Sequence, residues 1–224
     1  MAGGPAESER TKTVWFAVLL TLDNGFLDAH TYIARGGVFA NVQTANVIFS
    51  AIHLSQQRFY TALAHVWPLL AFIAGALLAA HIKSGRMERL IPHSLRWTMG
   101  FQVVVLAIIG FVPAAVDHTV ATVPISFMAG VQIGLFRKVG ELGYLPVATT
   151  GALASLMESA YNTAVERTPA ARHAFAVYGS LILAFLVGAL VGAYATEAWG
   201  VHAIWLAAGF LAATLCLFIV EVPD

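Results

Sequence analysis

The chain has 224 residues, of which 59% are hydrophobic and 11% charged, with Lys+Arg and Asp+Glu balanced at 12 each. Soluble domains carry about 25% charged residues, so this composition, with a mean hydropathy of +0.78, belongs to an integral membrane protein. Zero formal charge without a basic tract argues against nucleic acid as a partner, and one cysteine, Cys216, rules out an internal disulfide framework or a Cys-based metal cluster.

A polar tail, 1–12, precedes apolar runs at 13–34, 60–81, 95–116, 119–136, 173–196 and 201–221, most of them near the roughly 20 residues a spanning helix requires. The first run is too long, and lacks too clearly a small-residue cleavage site, to be a signal peptide; a retained first helix is expected. Segments 36–54 and 145–163 are long enough to span but rich in Gly, Thr, Asn, Gln or Glu. Read as re-entrant, they leave six spans; read as helices, eight. Six spans with an inside N-terminus put Arg10, Lys12, Lys83, Arg86, Arg89, Arg96, Arg137, Lys138, Arg167 and Arg172 on the cytoplasmic side and only Arg35 and Arg58 outside. Eight spans lose that asymmetry, so the positive-inside rule selects six, with both termini cytoplasmic.

Two polar stretches, GFLDAHTYIARGGVFANVQTAN at 25–46 and GVQIGLFRKVGELGYLPVATTGA at 130–152, read as copies of one another. Gly25 aligns with Gly130 and Thr44 with Thr150 after one inserted residue, an offset of roughly 105. The chain divides into membrane repeats at 13–116 and 117–224. Three spans per repeat is an odd number, so the second repeat enters from the opposite face. The expected fold is all-α: two inverted three-helix repeats, each with a re-entrant polar segment, meeting around a polar cavity.

On the first helix Thr21, Asn24, Asp28 and Thr31 recur at helical spacing and share a face. A carboxylate inside a membrane is costly unless paired, hydrated or protonated. Asp28 is therefore the first candidate for a ligand, gate or proton-coupling group, against the alternative of an inter-helix hydrogen bond. Asp23 lies on another face and ranks lower, and His30 lower again. After the Gly36-Gly37 break, Asn41, Gln43, Thr44 and Asn46 offer neutral donors and acceptors, on a half-helix whose N-terminus favours an anion or carboxylate. Gln132, Thr149, Thr150 and Glu158 are the counterparts in the second repeat, although the threonines can instead bond their own helix backbone. Gly130-xxx-Gly134 and Gly188-xxx-Gly192 are small-residue faces for helix packing or for a homodimer. Pro68, Pro113 and Pro124 kink or end helices, and His65 has no assigned place. The Lys83–Arg96 stretch is a solvated loop in reach of lipid head groups.

The segment Gly25, Asp28, Ala29, Gly36, Gly37, Val38, Phe39, Asn41, Thr44 and Asn46 resembles, in order, the first signature of the YoaK-like family of bacterial inner-membrane proteins, with Ala45 in place of the usual Gly. Gly130, Gln132, Thr150 and Gly151 match the second, with Ile133 where the family usually has Asn. The resemblance covers most of the chain and implies a bacterial membrane protein of about six helices, without a substrate. The Ile133 departure shifts binding chemistry toward the first repeat.

The expected function is a transporter or channel for an unidentified small solute, working as a homodimer or small oligomer, with Asp28 or Glu158 available for proton coupling. The alternative is a non-catalytic membrane scaffold or assembly partner. An enzyme is not expected: no HExxH, no GxSxG and no His pair at i, i+4 occurs. No cofactor or metal is expected either.

Overall fold

The computed structural model describes residues 13–84, 94–136, 138–139, 142–143 and 149–221. The N-terminal tail, the loop carrying Arg86, Glu88 and Arg89, Arg137 and residues 145–148 of the second polar segment lie outside them. Eight α-helices are described: α1 (Val14–Ala34), α2 (Gln43–Ser55), α3 (Phe59–Lys83), α4 (Ser94–Ile109), α5 (Thr119–Leu135), α6 (Thr149–Val165), α7 (Pro169–Trp199) and α8 (Ile204–Glu221). A 3-10 turn, Gly200–Ala203, joins α7 to α8. A two-stranded antiparallel hairpin, β1 (Lys138–Val139) with β2 (Leu142–Gly143), follows α5. Two stretches are long and apolar enough to cross a bilayer, Phe59–Lys83 and Pro169–Val220. The protein is an all-α membrane protein apart from the small hairpin.

Glycines set the helix pairing. A Cβ on Gly188 would overlap the carbonyl of Leu22, and one on Gly192 would lie 2.6 Å from the carbonyl oxygen of Phe26. Together with the His30–Thr196 contact, these pairs advance in the same direction, so α1 and α7 run parallel at backbone contact. The same arrangement joins α3 to α5, where Gly75 meets Phe127, Gly130 meets Phe72 and Gly134 meets Ala79. Close approach without Cβ atoms is what small residues give helices that lack a hydrophobic drive to associate. Both small-residue faces are thereby occupied inside the chain, which leaves neither for a second copy.

The two contacts are the same contact made twice. Gly25 and Leu22 correspond to Gly130 and Phe127, each 105 residues on, while Phe72 and Gly75 correspond to Phe185 and Gly188, each 113 residues on. In both pairs the first helix of one half meets the third helix of the other. α5 runs antiparallel to α1, since Gly36 lies against His118, Asn24 bonds Gln132 and Phe16 packs on Phe136. α8 is antiparallel to α1 through Phe16–Phe218 and Phe26–Phe210, and to α4 through Trp205 and Ala107 and Leu215 and Gly100. Hence α1, α3, α4, α5, α7 and α8 alternate in direction. The interruption that carries α2 starts where α1 ends, and the one that carries α6 starts at the opposite end, where α5 finishes.

α1 is the central helix. Its residues from Phe16 to Thr31 are almost all buried because α7, α8 and the loop after α1 surround it. Phe16, Leu20, Phe26 and Leu27 join the main apolar cluster with Met99, Leu106, Ile125, Leu211 and Phe218. α1 ends where Gly36 and Gly37 take φ of 74° and 76°, a region open to glycine at little cost. The Gly37 N–H donates to the Tyr32 carbonyl at 3.0 Å, closing a Schellman-type turn. α7 begins at the Thr168 cap, whose side-chain oxygen accepts from the Ala171 N–H at 3.2 Å, with Pro169 in the first helical position.

The sequence reading put Arg35, with Arg58, on the outer side; the structure gives it a role at the end of α1. It is fully buried and donates to the carbonyls of Val112 at 2.8 Å, Pro113 at 3.2 Å and Ile109 at 3.5 Å. The last carbonyls of α4 have no intrahelical donor, and a guanidinium satisfies several at once. Its charge ties the ends of α1 and α4 together.

Candidate functional site

After the Gly36-Gly37 reversal, residues 38–42 run back along the last turns of α1 instead of leaving the bundle. Three bonds lay them down. The Ala40 N–H donates to Thr31 Oγ1 at 3.2 Å, the Asn41 N–H donates to Asp28 Oδ1 at 2.9 Å, and Asn41 Nδ2 donates to the Asn24 carbonyl at 3.1 Å. From α5, Ser126 donates to the Ala40 carbonyl at 2.6 Å. The segment thus reaches the middle of α1 before α2 begins. α2 has 13 residues, about 20 Å of helix, and is too short for a hydrocarbon core of roughly 30 Å.

Asp28 also lies beside the N-terminus of α2. Its Oδ1 accepts from the Val42 N–H at 3.3 Å as well as from that of Asn41, so it holds the two amides that lead into the half-helix, where negative charge is favoured. The first turn of α2 is self-contained. Asn46 Oδ1 accepts from the Phe39 N–H at 3.2 Å and from His65 Nδ1 at 3.2 Å, while Asn46 Nδ2 donates to Gln43 Oε1 at 3.0 Å. Gln43 Nε2 donates to the Ala40 carbonyl at 2.8 Å. His65 on α3 stacks with His53 and Phe49 of α2, which places a histidine that the sequence alone left unassigned.

At the level of Asn24 the network crosses between the halves. Asn24 Nδ2 donates to Gln132 Oε1 on α5 at 2.9 Å and to the Leu20 carbonyl at 2.7 Å. Asn24, Asp28, Asn41 and Gln132 are each 1–3% exposed. Each keeps one buried polar atom with no partner among the described residues: Asn24 Oδ1, Asp28 Oδ2, Asn41 Oδ1 and Gln132 Nε2. Three acceptors and one donor are unspent on four residues linked to one another by hydrogen bonds, and buried polar groups are seldom left so. Each costs about 1–3 kcal/mol unless something binds it.

The other candidates divide. Gln43 and Asn46 belong to the network but their polar groups are spent on the loop itself. Thr44 is exposed on α2. Thr149, Thr150 and Glu158 lie on α6, which packs chiefly on α7 and buries only Ser159; Thr150 and Glu158 are exposed. The structure brings the first polar segment together with Gln132, not with the described part of the second segment, 149–163. Asp23, ranked lower in the sequence, is 1% exposed with both carboxylate oxygens unpartnered among the described residues. Sequence reasoning missed Ser126 and Thr122, whose buried hydroxyl is unpartnered too. No spacing marks a single hydroxyl on an apolar helix as special. His30 Nδ1 donates to Thr196 Oγ1 at 3.0 Å, since that hydroxyl already donates to the Gly192 carbonyl at 2.6 Å.

Among the described residues no three His, Cys, Asp or Glu side chains converge on a point. A groove of about 570 Å³ lined by Trp199, His202, Trp205 and Leu206 opens where α7 meets α8. None of its residues belongs to the network, and exposed tryptophans of this kind suit a membrane interface.

Similarity to known proteins agrees with a membrane protein. The chain is 26% identical over 143 residues to the UPF0700 transmembrane protein YoaK of Bacillus subtilis (strain 168), covering 62% of this chain and 64% of the relative, less than two thirds of that protein's length. No solved structure matches. The family described as "Protein of unknown function (DUF1275)" matches residues 16–217, nearly the whole chain, and the chain belongs to that YoaK-like family.

Proposed function

We propose that this protein is a multi-pass transporter for a small polar solute, with six spans in two inverted halves and the solute site at Asn24, Asp28, Asn41 and Gln132. The observation that carries the reading is the set of four unspent polar atoms, buried where Gln132, in the last turn of α5, and Asn41, in the loop before α2, meet Asn24 and Asp28 of α1. Irregular backbone at such depth is tolerated where it is buried in protein or lines a cavity, and ionisable groups there mark pathways more often than packing. The alternating directions of six helices, and excursions that start from opposite ends, support the inverted arrangement.

The moving parts follow from the packing. α1 with α7, and α3 with α5, are joined at backbone contact by glycines and behave as two rigid pairs. Between them the polar links at this depth are the Asn24–Gln132 bond and, through the loop laid on α1, the bond from Ser126 to the Ala40 carbonyl. Rocking of one pair against the other opens the site to one face and then the other. With Cys216 changed to Ser, a cysteine at Val42→Cys reacts with an impermeant thiol reagent both in intact cells and in inverted vesicles. Protection from either face in the folded protein overturns transport and favours a packing role.

A further inference from the structure

We propose that Asn24 Oδ1, Asp28 Oδ2 and Asn41 Oδ1 form a binding site for a monovalent metal cation, the ion that accompanies the solute; its coupling role rests on the transport reading, whereas its binding does not. The three oxygens are presented rather than loose. The Asn24 carboxamide is fixed by its two donations, to Leu20 and Gln132, and that of Asn41 by donation to the Asn24 backbone. Asp28 is fixed through Oδ1 by the Asn41 and Val42 amides. In each side chain the nitrogen or first oxygen is committed, and the remaining oxygen is buried without a donor.

Carboxylate and carboxamide oxygens suit hard cations. The charge fixes the valence. Asp28 supplies one negative charge, and Arg35, the buried guanidinium nearest in sequence, spends itself on the carbonyls at the end of α4. Asp28 is the one charged group among these three ligands, so one positive charge neutralises the set, whereas a divalent ion leaves it with an excess charge. The unspent donor, Gln132 Nε2, faces the opposite need and suits an acceptor on the solute or its water.

The test is equilibrium stability of the full chain in lipid nanodiscs, with Na+ or K+ replacing choline at constant ionic strength. One of the two ions is expected to raise the unfolding midpoint saturably, by about 4 °C, and Asp28→Asn to abolish the rise. Because that variant can itself lose stability, 23Na line broadening on the unaltered protein, reversed by the competing ion, gives a second reading. Equal midpoints in Na+, K+ and choline with no broadening overturn the site. A rise with Mg2+ or Ca2+ alone overturns the charge argument. Cation binding with Val42→Cys protected from both faces leaves the site and removes transport, and two-sided labelling without any cation effect does the reverse.

Discussion

Gly188→Val is expected to abolish the folded protein. Even one methyl at Gly188 overlaps the Leu22 carbonyl, and the neighbouring Cα of Leu22 lies 3.0 Å from where it would sit. The clash is with backbone, so no rotamer relieves it. α1 and α7 must separate, and that loosens Gly25 against Phe185 and Gly192 against Phe26 as well. Overpacking a well-packed core typically costs about 1–3 kcal/mol; here a whole helix pair is displaced, and roughly 3 kcal/mol or more is expected, enough to take a marginally stable chain below its threshold. Gly75→Val, the equivalent position in the α3–α5 pair, has the same consequence. Gly209 in α8 is the control, because nothing lies within 4 Å of its Cβ position; Gly209→Ala should hold or gain about 0.5–1 kcal/mol through helix propensity. The yield of monodisperse protein on size exclusion and its midpoint in thermal unfolding check all three. A Gly188→Val protein as stable as the parent sinks the parallel-pair description.

At Asp28, truncation and charge removal are expected to separate. Asp28→Ala strips the acceptor from the Asn41 and Val42 amides, 2.9 and 3.3 Å from Oδ1. Each buried N–H left unsatisfied costs about 1–3 kcal/mol, so a loss of roughly 2–5 kcal/mol follows, with α2 detaching first. Asp28→Asn keeps a carbonyl oxygen for both amides and forfeits mainly the charge at the helix N-terminus, on the order of 0.5–2 kcal/mol. The asparagine variant therefore folds while losing the cation effect. Hydrogen exchange across 38–55 distinguishes them: rapid exchange in the alanine variant, near-parental protection in the asparagine variant. If both variants exchange like the parent, Asp28 does not hold the loop.

Much of the fold was legible because two physical signals are local. Apolar run length gave the helices, and the Gly36-Gly37 break before Asn41 gave the reversal and the short α2. Gly25 and Gly130, which spacing singled out, are both positions where a second helix comes to backbone contact. What failed depended on partners far along the chain. Arg35 counts only as an outside charge until α4 ends beside it. Glu158 and Thr150 resemble site residues by position in the repeat, yet α6 presents them outward. The unspent atoms could not be read at all, because an asparagine that binds a solute and one that knits a loop have the same letter. Asn46 and Asn41 are five residues apart; one spends both its groups on the loop and the other keeps an oxygen.

Two spin-label distances test the rocking of the helix pairs about this site. Gln56 and Ala198 are exposed at the end of the bundle where α1 finishes, and Ser84 and Ala170 are exposed at the other end; each couple joins the α3–α5 pair to the α1–α7 pair. Double electron–electron resonance on the full chain in nanodiscs should give two populations at each end, exchanging in opposite sense when Na+ or K+ replaces choline, so that one end widens as the other closes. A single narrow distance at both ends, unmoved by either ion, would contradict alternating access and return the polar network to a role in packing.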